Sequence, residues 1–284
     1  MNQRRHALSF YSALLLLLCV ARRPAGAQEP IDEISDNSFL IEEAYNQEPG
    51  VVQHIFNFIY THDSQHQGWY FTFTQEWPVF SMDHQFSYTL PFYHLTDEGN
   101  RLRGIGDMLL NYRYQLLEEK PGIPAFSPRF SLIVPTGNRD KGTGNGVVGY
   151  QWNLPFSKKV NGRFVLHANL GLTYLPKARV LLDNGELSRK RSLVSYNLGA
   201  SGIFALSGRV HVLLEWVNSW EANITNKGKV NYDFSAILSP GVRASVIDRE
   251  NFQTVIGVGF PIGLTRPADN FGVFLYLSIE HKFF

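Results

Sequence analysis

Polar side chains recur inside stretches that are otherwise apolar, many of them two residues apart. They are Asp107, Asn111, Arg113, Arg129, Gln151, Asn153, Arg163, His167, Asn169, Glu215 and Arg243. Their chemistry is that of ion pairs, hydrogen bonds and an electric field across a narrow space. Opposed charges of this kind tie facing walls together, and the same groups select solutes by charge and size where they line a channel. Four arginines give the set a cationic bias. A guanidinium plane also stacks on aromatic rings, so these positions need not repel an aromatic solute.

Other chemistries fail on spacing. Gly142, Gly144 and Gly146 do not form G-x-G-x-x-G, and no βαβ unit surrounds them, so they are read as a loop. Gly199-Ala200-Ser201-Gly202-Ile203 departs from G-x-S-x-G at its last position. No H-E-x-x-H occurs, and the single cysteine is Cys19. A lipid hydrolase built on a barrel would need Ser and His in reach of each other on the outer wall, with a group to orient the His. His167 shares a face with Asn169, and His211 with Glu215, but both faces read as interior. His54, among Val52, Phe56 and Phe58, reads as an interface residue, and His94 with Ser87 makes no triad. The expectation is a chain that is not an enzyme, with no catalytic residue, no cofactor and no metal.

The elements that position these side chains follow period 2, the strand period. In 162–174, Phe164, Leu166, Ala168, Leu170 and Leu172 share one face; Arg163, His167, Asn169 and Thr173 share the other, with Val165 as an exception. Residues 105–117 and 147–156 repeat the pattern. Twelve such segments are expected, near 51–60, 69–79, 84–94, 105–117, 125–135, 147–156, 162–175, 191–204, 209–220, 234–247, 252–264 and 271–283. Most exceed the roughly 5–6 residues of an ordinary strand and reach the roughly 9–11 that cross a membrane. The joints alternate. Longer polar gaps at 61–68, 95–104, 136–146, 176–190, 221–233 and 265–270 interleave with mostly shorter ones at 80–83, 118–124, 157–161, 205–208 and 248–251. Long external loops and short periplasmic turns give that parity in an outer-membrane barrel, whereas a soluble sandwich gives no reason for it. The least regular stretch is 221–247, where Ser239-Pro240-Gly241 reads as an interruption.

The expected fold is therefore all-β: a closed antiparallel transmembrane β-barrel of about twelve strands spanning 51–284. Apolar residues face lipid, because every backbone group must pair within a closed sheet there. Tyr70, Tyr93, Tyr150, Trp152, Tyr174 and Trp216 are candidates for the interfacial girdles.

Composition agrees. Charged residues make up 18% of the 284, below the roughly 25% of soluble domains, and aromatics reach 14%. Residues 1–27 join a basic start (Arg4, Arg5), five consecutive leucines (Leu14–Leu18) and Ala25-Gly26-Ala27, which reads as a cleaved signal peptide. That segment holds four of the 26 basic residues and no acid. The remaining 22 bases and 25 acids carry a net charge of −3, which argues against nucleic acid as a partner. Residues 28–50 mix Ile31, Ile34, Phe39, Leu40 and Ile41 with Asp32, Glu33, Asp36, Glu42 and Glu43. They are expected to lie in the periplasm or to enter the barrel as a partial plug.

A family resemblance rests on ordered landmarks. Gly104-Ile105-Gly106-Asp107 opens a strand carrying Tyr112 and Tyr114. Leu132-Ile133-Val134-Pro135-Thr136-Gly137-Asn138 follows, then Gly142-Thr143-Gly144-Asn145-Gly146, and later Ser239-Pro240-Gly241-Val242-Arg243. Over roughly 36–284 the chain resembles the outer-membrane barrel family of the meta-pathway of phenol degradation, whose members are described as outer-membrane transporters. The resemblance implies passage of small hydrophobic or aromatic solutes across the outer membrane of a Gram-negative bacterium. The partners implied are outer-membrane lipids, a small organic solute and the barrel-assembly machinery. One departure stands out. Phe284 is terminal, but Lys282 and Glu280 share its register, while the apolar face is Phe271, Val273, Leu275, Leu277, Ile279 and Phe283. The competing expectation is a structural barrel that transports nothing.

Overall fold

The computed structural model describes residues 38–62, 66–97, 100–179, 182 and 187–283. The chain divides into Met1–Pro30 and Ile31–Phe284; the first unit, with the expected signal peptide and Cys19, lies outside the described residues. The second is one antiparallel sheet closed on itself.

Twelve staves make the wall. They are β1 (Val51–His62), β2 (His66–Val79), β3 (Ser81–Asp97), β4 (Asn100–Ile105 and Met108–Tyr114), β5 (Ala125–Phe126 and Arg129–Val134) and β6 (Gly149–Asn161). β7 (Phe164–Ala178), β8 (Arg191–Ser207), β9 (Val210–Ile224), β10 (Val230–Arg249), β11 (Phe252–Gly259 and Ile262–Gly263) and β12 (Phe271–Lys282) complete it. Each stave pairs with its sequence neighbours. β1 pairs with β12 from Val51↔Lys282 to His62↔Phe271, so no edge is left open.

Short turns at one end of the barrel carry local irregularities. Gly162-Arg163, Gly208-Arg209 and Glu250-Asn251 each join two staves, and the register shifts beside each of them. An extra residue at the rim lets a tight turn follow the twist of its strands. The long joints at the other end are 135–148, 179–190 and 264–270. Among the described residues, much of three joints expected as long loops is strand instead. β1 and β2, β3 and β4, and β9 and β10 run on past the expected ends, with pairs such as Glu221↔Asp233 and Asn223↔Asn231. Polar residues there misled the reading because they were taken for loop, whereas they alternate with apolar ones: Glu221 and Asn223 flank Ala222, and Ala222 and Ile224 join an apolar cluster. The expected interruption at Ser239-Pro240-Gly241 is also absent. β10 runs through it, and the Pro240 carbonyl accepts the Phe260 N–H at 2.9 Å.

The faces sort as period 2 requires. Leu166, Leu170, Leu198, Trp216, Ile256 and Leu275 stand exposed on the outer wall, and Leu170 keeps 51% of its surface. Asn111, Arg113, Asn153, His167, Asn169, Glu215 and Arg243 are buried within. Exposed apolar area of this extent would be a liability in water and is what a lipid-facing wall requires. Phe271, Val273, Leu275, Leu277 and Ile279 share a face, and exposed Phe283 follows in the same register.

Two girdle candidates face the other way. Tyr70 pairs with Ile59 and Tyr93, and Ile59 packs on the interior apolar cluster, so Tyr70 and Tyr93 point inward with ring centres 5.0 Å apart. Apolar rings are admitted there because the interior is not uniformly polar. Ile55, Val165, Ile203, Leu213, Val255, Phe274 and Tyr276 form an interior cluster, which also explains the exception at Val165.

Candidate functional site

The interior holds its own chain. Residues 38–50 carry no strand or helix, so their backbone groups need partners other than a ladder, and the wall supplies side chains. Glu215 Oε1 accepts from the N–H groups of Leu40 at 2.7 Å and Ile41 at 3.1 Å. Asn169 bonds Glu42 both ways: its Oδ1 accepts the Glu42 N–H at 2.8 Å, and its Nδ2 donates to the Glu42 carbonyl at 2.7 Å. Ala44 donates to Ser157 Oγ at 2.7 Å and accepts from Ser127 Oγ at 2.7 Å. These partners come from β6, β7 and β9 and from Ser127, between the two stretches of β5.

Two arginines complete the attachment. Arg113 donates from Nε to Asn46 Oδ1 at 2.9 Å, from Nη1 to the Glu43 carbonyl at 3.0 Å and from Nη2 to the Tyr45 carbonyl at 2.8 Å. One planar fork thus fixes three residues, a geometry lysine cannot copy. Arg129 Nε meets the Glu42 carboxylate at 2.8 and 3.1 Å, and Asn153 Nδ2 donates to the same group at 2.6 Å. Arg129 also bonds Asn111, Gln151 and Ser131. Burial alone would push the Glu42 carboxyl up, but Arg129 and then Arg113 outweigh it and hold it below the ordinary carboxylate range. Near the turn end, Tyr45 Oη donates to Glu119 at 2.5 Å, and Lys158 pairs with Glu119 at 2.9 Å.

Of the interior residues expected from sequence, Asn111, Arg113, Arg129, Gln151, Asn153 and Asn169 converge on this one network. Glu215 holds the segment further along. Three stand apart. Asp107 is a loop anchor: its carboxylate accepts from Gly137 N at 3.0 Å and from Asn145 N and Nδ2 at 2.7 and 2.9 Å. Arg163 lies in the turn before β7, six residues from Asn169, or roughly 20 Å along a strand. It therefore does not join Arg113 and Arg129. It lies instead at the turn end of the barrel. Arg243 lies buried beside His211, with Nη2 3.4 Å from Nδ1. His167 shares a hydrogen bond of 2.7 Å with Ser157, a pairing not expected from sequence. The dyad faces the interior, and Ser157 Oγ already accepts the Ala44 N–H. Among the described residues no carboxylate hydrogen-bonds that histidine.

Sequence reasoning missed Glu42 and Phe39 as members of the site, although both lie in the stretch read as a partial plug. Ser127, Ser157 and Ser201 were missed too. Their signal was small polar residues at inward positions, which is weak in any β chain. Among the described residues no group of three His, Cys, Asp or Glu side chains converges on a metal position. Between the segment and staves β1 to β5 and β12 a cavity of about 220 Å³ remains, lined by Phe39, Ile55, Asn111, Arg129 and Tyr276 among others.

Comparison with known proteins agrees with this architecture. An outer membrane channel from Pseudomonas putida F1 superposes with a TM-score of 0.63 at 12% identity, covering 88% of this chain and 100% of that one. The NanC porin gives 0.49 at 9% identity, over 81% of this chain and 99% of the porin. Among curated proteins, no sequence matches the chain. Residues 50–178 match the family described as "Putative MetA-pathway of phenol degradation". That stretch runs from β1 through β7 and holds the landmarks from Gly104 to Gly146, so over it the chain carries the signature of the meta-pathway phenol-degradation family, on the barrel fold of an outer-membrane channel.

Proposed function

We propose that the protein is a narrow, non-catalytic channel of the Gram-negative outer membrane, and that residues 38–50 form its constriction. One observation carries the reading. The segment crosses the lumen held mainly by hydrogen bonds from wall side chains and leaves a cavity of about 220 Å³ beside it. A passage of that size suits small organic solutes; an engineered apolar cavity of about 150 Å³ takes up benzene. Its lining supports the solute class: Phe39, Ile55, Leu109 and Tyr276 face Arg129 and Asn111, so an apolar ring meets both packing and a guanidinium plane. Hydrophobic or aromatic solutes are also what the family resemblance implies. The turn end faces the periplasm in this reading, and the chain enters the lumen from that side.

The test is uptake into liposomes bearing the purified, folded protein, with an aromatic acid, a neutral aromatic and a sugar of similar size. Preference for the neutral aromatic supports the reading, and equal uptake of all three reduces it to a general small pore. The density of bonds on residues 38–50 favours a second reading, a structural barrel that transports nothing. No uptake above protein-free liposomes would establish that one.

A further inference from the structure

Phe39 occupies a socket cut into the barrel wall. Gly241, Gly257 and Gly259 sit side by side on β10 and β11, facing inward, and the ring lies against all three. A Cβ on Gly257 would stand 2.4 Å from Phe39 Cζ, one on Gly241 2.7 Å from Cε2, and one on Gly259 3.0 Å from Cδ2. The pocket is therefore defined by missing side chains, and its depth is that of a ring. Phe274 stacks on Phe39 with centroids 5.1 Å apart and planes 20° from parallel, and Tyr276 lies at 5.4 Å. Leu213 and Val255 close the floor. Such ring contacts favour an aromatic occupant over an aliphatic one of equal area.

The occupant is delivered by a segment with no backbone ladder. Phe39 also lines the cavity beside the segment, as does Tyr276, so a solute in that cavity touches the rim of the socket. A strand residue filling a core could not leave without breaking the wall; Phe39 needs only its own N–H bond to Glu215 and the bonds of Ser38, Leu40 and Ile41 to give way. We propose that the socket is a binding site for a single uncharged aromatic ring, with Phe39 as the built-in competitor that such a solute displaces. Binding and release of the segment are then the same event, and the solute loosens the constriction that bars it. This rests on the channel reading above and adds the site and its ligand class.

The experiment uses the full-length, folded protein in detergent and 4-fluorophenol as the probe, followed by fluorine NMR. Removing an internal competitor raises apparent affinity by the inverse of the fraction of empty sockets. Phe39→Ala should therefore bind the probe at least about tenfold more tightly than the wild type. Phe39→Leu, which fits the apolar site without a ring, should shift in the same direction by less and serves if the alanine variant fails to assemble. Adding Gly257→Leu fills the vacated space and should abolish the gain. No gain in either Phe39 variant, or a gain that survives Gly257→Leu, overturns the socket as the site. Liposome uptake of the same phenol by the wild type separates the two ideas. Uptake without a gain in affinity sinks the socket and leaves the channel; a gain without uptake sinks the channel and leaves the socket as a ring-binding site.

Discussion

Glu42 and Arg129 meet inside the barrel with Oε2 2.8 Å from Nε. Arg129 belongs to the wall and Glu42 to the segment that crosses the lumen, so this contact joins the two parts whose separation would widen the passage. Arg113 reaches the same carboxylate at 3.3 Å. Hydrogen bonds to charged partners contribute on the order of 1.5–3 kcal/mol each when shielded, and less here because a fifth of the Glu42 side chain is accessible. Glu42→Ala should raise single-channel conductance in planar bilayers severalfold while the folded, heat-modifiable gel form persists. Unchanged conductance in folded protein would show that residues 38–50 do not limit the current.

The same contact sets a response to acid. Glu42 ionises below the ordinary carboxylate value of 4.5, so its contribution to holding the segment is complete above that value and is lost as pH falls through the lowered one. The groups facing it are the guanidinium groups of Arg113 and Arg129 and the side-chain amides of Asn153 and Asn169. Glu119, which accepts from Tyr45, is also held low: burial raises its carboxyl, and bonds from Tyr45 and Lys158 outweigh that. Both act in the same direction. Conductance should be flat from neutral pH to about 5 and rise below 4.5, with Glu42→Gln open already at neutral pH and nearly flat throughout. A rise centred near pH 6.5 would point to histidine instead.

Leu170 and Asn169 are adjacent and face opposite solvents. Leu170→Arg puts a charge on the outer wall, at a cost of roughly 2–4 kcal/mol near the bilayer midplane. It should abolish the heat-modifiable form. Asn169→Ala removes both bonds to Glu42 and should leave assembly intact while raising conductance. Equal assembly defects in the two variants would contradict the assigned faces.

The wall was legible because period 2 is imposed by solvent on every stave: Leu166, Leu170 and Leu172 against His167, Asn169 and Thr173 required no knowledge of neighbours. What crosses the lumen was less so. Phe39 and Glu42 lie in a stretch with no period, and their partners are Gly257 and Arg129, far away in sequence. The glycines gave no sign of their purpose either, since Gly241 within Ser-Pro-Gly looks like a break until Phe39 is seen in the space it leaves. Arg163 shows the other limit. Alternation gives the face of a residue and says nothing of its height along the barrel.

Asp107 provides the last test, and it concerns the landmarks of the family rather than the passage. Its two carboxylate oxygens take three donors from Gly137 and Asn145, closing the long joint 135–148 onto β4. The glycines are needed for that closure. A Cβ on Gly144 would lie 2.6 Å from Asp107 Oδ1, and Gly142 ends the short 3-10 turn Arg139–Lys141 at φ 72°, a left-handed conformation that suits glycine. The motif is thus a clasp that keeps one loop folded at the mouth. Asp107→Ala leaves the loop's N–H donors without their acceptor, and the joint should open locally while the staves stay paired. Trypsin should then cut after Arg139 and Lys141 in the folded variant far faster than in the wild type, with the heat-modifiable form unchanged. Equal cleavage of the two proteins would show that the loop is held by something other than Asp107.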